Sequence, residues 1–377
     1  MKSVLSYLTS GLGSVLFLLA FLTSCGGSDT GEDTQTTDTV NEEVIVVDTI
    51  PAGETIWHVK AFLPEGKLLD VKALDSAGNI YDVKAIQSAG NLHMMDIKAL
   101  VGEERLPVKM LVSTDISTVK NVPVKAIGSD GRIYDIKALT ADGERLDVKG
   151  VGRAGNVIHL KAISKDGKLY GVKALSPQGQ LYDVKGIKLS DNDVEANVNG
   201  KDVYAHIKAL PQIGQGDKET MWHVKAIHPD GKILDVKALG KGGEIYDVKA
   251  FVSDGDLHLV DIKAIVNGKN VPVKMLVSED ANIPVKAIGD DGTIYDIKAL
   301  TAEGEKLDVK GIRGTGSVIA LKAIASDGTY YGVKAISPSG NLLDVKGIKM
   351  SGDDVEAEVG GVKVYAHIKA LPVVVAR

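Results

Sequence analysis

Residues 169–187 read Leu-Tyr-Gly-Val-Lys-Ala-Leu-Ser-Pro-Gln-Gly-Gln-Leu-Tyr-Asp-Val-Lys-Gly-Ile. Two runs alternate apolar and polar residues with period two, the pattern of a half-buried strand. Val, Ile and Tyr suit a pleated surface. Between the runs, Ser176-Pro177-Gln178-Gly179 fits a type I turn followed by Gly in the left-handed region, the three-residue hairpin loop. That loop sets the register. Ser176 opposes Gln180, so Lys173 opposes Asp183, Ala174 opposes Tyr182 and Val172 opposes Val184. One face then carries Lys and Asp flanked by Ile and Leu, and the other carries Tyr, Val and Ala or Gly. A one-residue slip would bury the charges, so the pattern holds its own register.

This unit recurs about every 12 residues as G-x-[I/L]-[Y/L]-D-[V/I]-K-A-[L/I]. Its Lys falls at 60, 72, 84, 98, 109, 125, 137, 149, 161, 173, 185 and 208, then at 225, 237, 249, 263, 274, 286, 298, 310, 322, 334, 346 and 369. A longer repeat contains the short one. Residues 57–211 match 222–372, with an offset of 165 up to Ser113/Ser278 and 161 from Pro123/Pro284 onward. The last spacing in each copy holds an extra candidate strand, Val194–Val198 or Val355–Val359, followed by Asn199-Gly200 or Gly360-Gly361 as turn signals. Twelve residues leave no room for a parallel crossover, so antiparallel pairing is expected.

The expectation is an all-β protein with two tandem antiparallel domains of about 12 short strands each. The third, seventh and eleventh strands of each copy share one form, which hints at a four-strand period repeated three times. In count and spacing this resembles the β-trefoil and β-prism architectures. The alternatives are a 12-strand meander barrel per copy, or one six-bladed propeller using all 24 strands, which would bury Lys/Asp faces at a desolvation cost.

Composition fits this reading. Of 377 residues, 44% are hydrophobic and 25% charged, which excludes wholesale disorder, and the 42 Gly match a chain of many turns. A single Cys excludes a disulfide framework. The net charge of −6 gives no footprint for nucleic acid. Residues 26–54 hold eight acidic residues and no Lys or Arg, and Lys2 is the only base before them; residues 55–377 keep 43 basic and 42 acidic residues. The acidity therefore belongs to 26–54, which reads as an extended tether. Val44–Val47 is a candidate edge strand within it.

Residues 1–25 read as a secretory signal. Lys2 is the positive n-region, Val4–Leu22 is apolar, and Leu22-Thr23-Ser24-Cys25 is followed by Gly26-Gly27. This resembles a bacterial lipoprotein lipobox, with Thr23 where Ala or Ser is commoner, and implies lipidation at Cys25. An uncleaved membrane anchor is the alternative. The acidic stretch after Cys25 resembles the surface-export signal of Bacteroidota lipoproteins, which implies an outer-membrane or cell-surface location. The domain plan is then 1–25 signal, 26–54 tether, 55–211 first domain, 212–221 linker and 222–377 second domain.

Candidate chemistry is sparse. The sequence holds no GxSxG, HExxH, phosphate loop or Cys nucleophile, and no enzyme or cofactor is expected. Asp fills the position two before the repeat Lys in 12 of 24 strands; His, Pro, Gly or Ala takes the rest. The lysine-rich face is a solvated face covered by Lys stems, or an electropositive patch for an acidic glycan. His58, His206, His223 and His367 occupy the Asp position in the first and last strands of the two copies. If those strands pair at a seam, His58 and His206 meet beside Trp57, as structural groups, ligand contacts or part of a metal site that lacks a third ligand. Trp57 and Trp222 read as core plugs, with stacking on a sugar ring as the other possibility. The functional expectation is a lipid-anchored envelope protein acting as a non-catalytic binding or structural module. Its partners would be the membrane, through Cys25, and a glycan or an envelope protein. A glycan-acting hydrolase and a purely structural component are the rivals.

Overall fold

The computed structural model describes residues 54–62, 68–88, 91, 93–113, 121–212, 220–314 and 316–374. Cys25, the apolar stretch before it and residues 26–53 of the tether, Val44–Val47 included, lie outside the described residues. Among those described, no helix is long and apolar enough to cross a membrane.

The chain is all-β, and each copy forms one antiparallel sheet of 12 main strands and one short one. In the first copy the strands are β1 (Thr55–Phe62), β2 (Leu68–Leu74), β3 (Ile80–Gln87), β4 (Met95–Val101), β5 (Glu104–Leu111), β6 (Val122–Ile127), β7 (Ile133–Leu139), β8 (Arg145–Ala154), β9 (Val157–Ile163), β10 (Leu169–Leu175), β11 (Leu181–Ile187), β12 (Ala196–Val198) and β13 (Lys201–Pro211). The second copy, from β14 (Met221–Ile227) to β26 (Val362–Pro372), repeats every pairing of the first.

The hairpin register is the expected one. Lys173 lies opposite Asp183 and Ala174 opposite Tyr182. The Gly179 N–H donates to Ser176 O at 3.0 Å, the Ser176 N–H to Gln180 O at 2.9 Å, and Gly179 has φ +85°. That left-handed φ is why Gly closes these tetrads.

The arrangement of hairpins differs from a three-fold plan. Strands β1, β2 and β3 pair mutually, and so do β4, β5 and β13, then β6, β7 and β8, then β9, β10 and β11. These four triplets are joined pairwise by β1–β10, β2–β7, β3–β4, β5–β6, β8–β9 and β11–β13. Each triplet meets each other triplet once, the connectivity of a tetrahedron with its corners cut. Pairings such as β1–β10 and β2–β7 break a meander, and among the described residues no strand pairs outside its own copy, which removes the six-bladed propeller. The closure leaves none of the main strands as a free edge, so the usual route to edge-to-edge aggregation is shut.

The first and last strands do not form a seam. β1 pairs with β2, β3 and β10, whereas β13 pairs with β4, β5, β11 and β12. Each is absorbed by a different triplet, and His58 and His206 are separated accordingly.

The Tyr, Val and Ala positions point inward. Val59, Ala61, Val71, Ala73, Val172 and Ala174 are all buried in one cluster, with an equivalent cluster in the second copy. Burial of this apolar face is the main stabilising term. The outward Lys residues meet across the six links: Lys60 opposite Lys173, Lys72 opposite Lys137, Lys84 opposite Lys98, Lys109 opposite Lys125, Lys149 opposite Lys161 and Lys185 opposite Lys208. Like charges directly opposite are destabilising. The triplets relieve this by turning ammonium groups away from the link: Lys60 reaches Asp70, Lys72 reaches Asp82 and Lys173 reaches Asp183.

Candidate functional site

The residues singled out in the sequence divide into two groups. Trp57 and Trp222 are core residues, 6% and 1% exposed, and Trp57 meets Tyr182 edge-on at 4.8 Å. A sugar cannot stack on either ring. His58 and His223 sit outside their shells, with Nδ1 at 3.2 Å from Lys84 Nζ and 2.9 Å from Lys249 Nζ. In each first triplet, two lysines reach Asp (Lys60–Asp70 and Lys72–Asp82, Lys225–Asp235 and Lys237–Asp247) and the third meets His.

His206 and His367 are different. They are 3% and 4% exposed. Lys109 Nζ lies 2.6 Å from His206 Nδ1, and Lys274 Nζ lies 2.5 Å from His367 Nδ1. Both pairs belong to the triplet that contains the last strand. There Lys98 faces Pro107, Lys109 faces His206 and Lys208 faces Asp96, so three lysines share one carboxylate. The second copy has the same arrangement: Lys263 faces Pro272, Lys274 faces His367 and Lys369 pairs with Asp261.

These triplets lie where the two copies meet. A separate apolar cluster joins Met94, Val157, Ile187, Leu189 and Leu210 of the first copy to Leu259, Ile348 and Leu371 of the second. Polar contacts flank it. His93 Nε2 lies 2.8 Å from Asp344 Oδ2, and the equivalent His258 Nε2 lies 3.0 Å from Asp183 Oδ2. The Asn156 amide donates to Asp261 Oδ1 at 3.1 Å. Equivalent residues cross the junction in both directions, the signature of a two-fold relation between the copies.

Beside this junction lies a cavity of about 720 Å³. Its walls come from both copies, in equivalent pairs: Ser190 and Ser351, Glu195 and Glu356, Ala196 and Ala357, His206 and His367. Lys274 also lines it, and Asp191, Asp290, Asp353 and Glu358 add carboxylates. The shape of the wall is held by two glutamates, of which Glu195 forms a buried ion pair with Lys188. Glu195 accepts from the Leu189 N–H at 2.6 Å and Ser190 Oγ at 2.8 Å, and lies 3.4 Å from Lys188 Nζ. Glu356 accepts likewise from the Met350 N–H at 2.7 Å and Ser351 Oγ at 3.0 Å. Lys188 and Lys349 lie over the rings of Tyr204 and Tyr365 at 4.5 and 4.7 Å.

The electrostatics are unusual for lysine. Burial, and then the neighbouring Lys208 or Lys369, push Lys109 and Lys274 down to about 7. Asp96 and Asp261 oppose that shift, as do Glu356 and Glu195, each from the other copy. Burial and the adjacent lysines hold His206 and His367 well below the usual imidazole range. Both rings are therefore neutral at pH 7, with Nδ1 accepting from lysine and Nε2–H left as a donor. Lys274 is thus the single lysine of a cavity lining that also holds the two neutral histidines and six carboxylates, Asp191, Glu195, Asp290, Asp353, Glu356 and Glu358. Among the described residues, no three His, Cys, Asp or Glu side chains group to hold a metal ion.

The sequence pointed to His206 and His367 through their place at the Asp position. It did not reveal Lys188, Glu195 or the junction. The traces were the matched pair Lys-Leu-Ser (188–190) and Lys-Met-Ser (349–351), which stand outside the strand pattern, and the repetition of His93 as His258.

Comparison with family models matches residues 53–210 and 218–371, one copy each, to a family described as a family of unknown function (DUF7486). Neither the curated proteins nor the solved structures contain a match to this chain.

Proposed function

We propose, for a chain that belongs to the DUF7486 family of unknown function through both of its tandem copies, that it is an exported, lipid-anchored module of the bacterial outer membrane or cell surface that binds glycan without catalysis. The observation that carries this is the cavity between the copies, walled by equivalent residues of both. The shells themselves are filled with apolar side chains and have ordinary charged exteriors. The cavity is concave and polar, and so suited to a soluble ligand.

This changes the form of the binding expected from a duplication. Two autonomous domains would bind two ligands and gain avidity. Here the two His/Lys triplets contribute to one cavity, so one ligand per chain is expected. Cys25 and the acidic tether would hold the site away from the membrane.

Calorimetric titration of the mature chain against a panel of neutral and acidic oligosaccharides at low salt tests the proposal. Saturable binding at one ligand per chain, with the sugar recovered intact, is the expected result. No binding across the panel would overturn it, and cleavage of the sugar would transfer the site to a hydrolase.

A further inference from the structure

We infer that the cavity between the copies takes an extended, basic segment of a partner polypeptide, which adds as a strand to the free edge of β25 (Ala357–Val359). This goes beyond the glycan reading: it gives the cavity a partner of another class, and it rests on the backbone of one wall.

Three observations carry it. First, the closed sheets leave two strands with a single neighbour. Among the described residues β12 pairs only with β13, and β25 only with β26. Both line the cavity, β12 through Ala196 and Asn197 and β25 through Ala357, Glu358 and Val359. Second, the turn fixes which backbone groups point outward. Gly360 and Gly361 have φ +54° and +78°, the type I′ hairpin, in which the flanking pair Val359 and Val362 exchanges hydrogen bonds. Antiparallel pairs alternate, so in the next pair, Glu358 and Lys363, the N–H and C=O groups face away from the partner strand. Lys363 O accordingly accepts from the Val277 N–H at 3.3 Å. The N–H and C=O of Glu358 have no such strand beside them among the described residues, and Glu358 is exposed at the cavity. An unpaired edge is the template to which extended peptides add.

Third, the charge fits one kind of guest. Of the carboxylates in the lining, Glu195 is held by Lys188, Glu356 by the Met350 N–H and Ser351 Oγ, and Asp191 meets Arg153 Nη2 at 3.0 Å. Asp290, Asp353 and Glu358 are exposed and form no ion pair among the described residues, and all three belong to the second copy, the side of β25. The single lysine, Lys274, is buried against His367. Val355 and Val359 line the same side. Side chains of an added strand alternate between two faces, so a segment alternating basic and apolar residues matches both the carboxylates and the valines. The edge is three residues long. Main-chain pairing at Glu358 therefore sets the position of the guest, ion pairs add affinity, and binding weakens with salt.

The test uses the full mature chain and three labelled octapeptides, followed by fluorescence anisotropy at low salt: alternating Lys-Val, alternating Glu-Val, and the Lys-Val peptide with every backbone nitrogen methylated. The basic peptide should bind about tenfold more tightly than the acidic one, and methylation should remove a similar factor, about tenfold. Glu358→Pro deletes the edge N–H at a position where a strand tolerates Pro and should lose about tenfold. Glu358→Gln keeps the edge and should lose less, and Asn197→Pro on β12 should change nothing. Bound peptide should slow hydrogen exchange of the Glu358 amide and leave that of Asn197 unchanged. A methylated peptide that binds as well as its parent would overturn strand addition, and an acidic peptide that binds as well would overturn the basic partner. If Glu358→Pro does not melt like the wild type, the methylated peptide and the Glu358 exchange rate decide. Failure of all three peptides would overturn this inference and leave the glycan reading to its own titration. Binding of the basic peptide with no sugar bound would overturn the glycan reading and leave this one standing.

Discussion

At the residue scale, the clearest departure from the repeat is compensated inside the core. The residue after the repeat Lys is usually Ala and fully buried, as at Ala61, Ala73 and Ala174. In β5 it is Met110, in β8 Gly150 and in β11 Gly186. A Cβ at Gly150 or Gly186 would sit 2.8 Å from the Met110 methyl group. One long side chain thus occupies the space that two missing methyl groups leave, and Met275 with Gly311 and Gly347 repeats the exchange. Met110→Ala should cost about 2–5 kcal/mol through the cavity it opens. Gly150→Ala should cost about 1–3 kcal/mol through overpacking. The triple change Met110→Ala, Gly150→Ala, Gly186→Ala restores the regular repeat and should recover most of the loss. Denaturant melts of the four proteins check this coupling; simple additivity would show that the three positions do not share one space.

At the scale of elements, hairpin register was written in the sequence, because Ser-x-x-Gly tetrads and the Lys/Asp alternation act over neighbouring residues. The closure was not. The links β1–β10 and β2–β7 join strands far apart in the chain, and no local turn chemistry specifies them. The opposed lysines along those links were hidden for the same reason. The contacts between copies are also non-local, although the repetition of His93 as His258 was visible and unexplained. In the structure, His258 on β17 (Asp256–Val266) has Asp183 Oδ2 at 3.0 Å on one ring nitrogen and Asp256 Oδ1 at 2.9 Å on the other. Burial disfavours its charged form, with Lys185 adding to that, but the two carboxylates prevail and raise its pKa above 6.5. A raised folded-state value means that the contact contributes fully below the unfolded value of 6.5 and loses its contribution as pH climbs through the folded value. Asp183 shifts the opposite way and remains ionised throughout this range. His258→Gln should therefore cost about 1–3 kcal/mol at pH 5.5 and clearly less at pH 9. Equal losses at both values would show that the ring acts as a neutral spacer.

At the scale of the whole molecule, the two copies relate to each other as the subunits of a two-fold dimer do. Each presents the same patch: His93 or His258, Met94 or Leu259, Asp183 or Asp344, Ile187 or Ile348, and Leu210 or Leu371. Such a patch is self-complementary. The second copy alone has a closed sheet and its own apolar cluster, so residues 217–377 should fold cooperatively. In isolation it would expose Leu259, Ile348 and Leu371, which the first copy covers in the full chain. Burying them against a second copy of the same fragment would also place His258 of each beside Asp344 of the other, replacing both contacts of the intact junction. The fragment should therefore form a symmetric dimer, with dissociation that depends on concentration, seen by analytical ultracentrifugation. Leu259→Glu should give a folded monomer, because it places a charge in the apolar patch without entering the shell's interior. That dimer would rebuild the cavity with two copies of Lys274 and His367 around it, so loss of sugar binding in the Leu259→Glu monomer would show that the site needs both walls. A fragment that stays monomeric at high concentration would mean that tethering on one chain, rather than the fit of the surfaces, holds the two copies together.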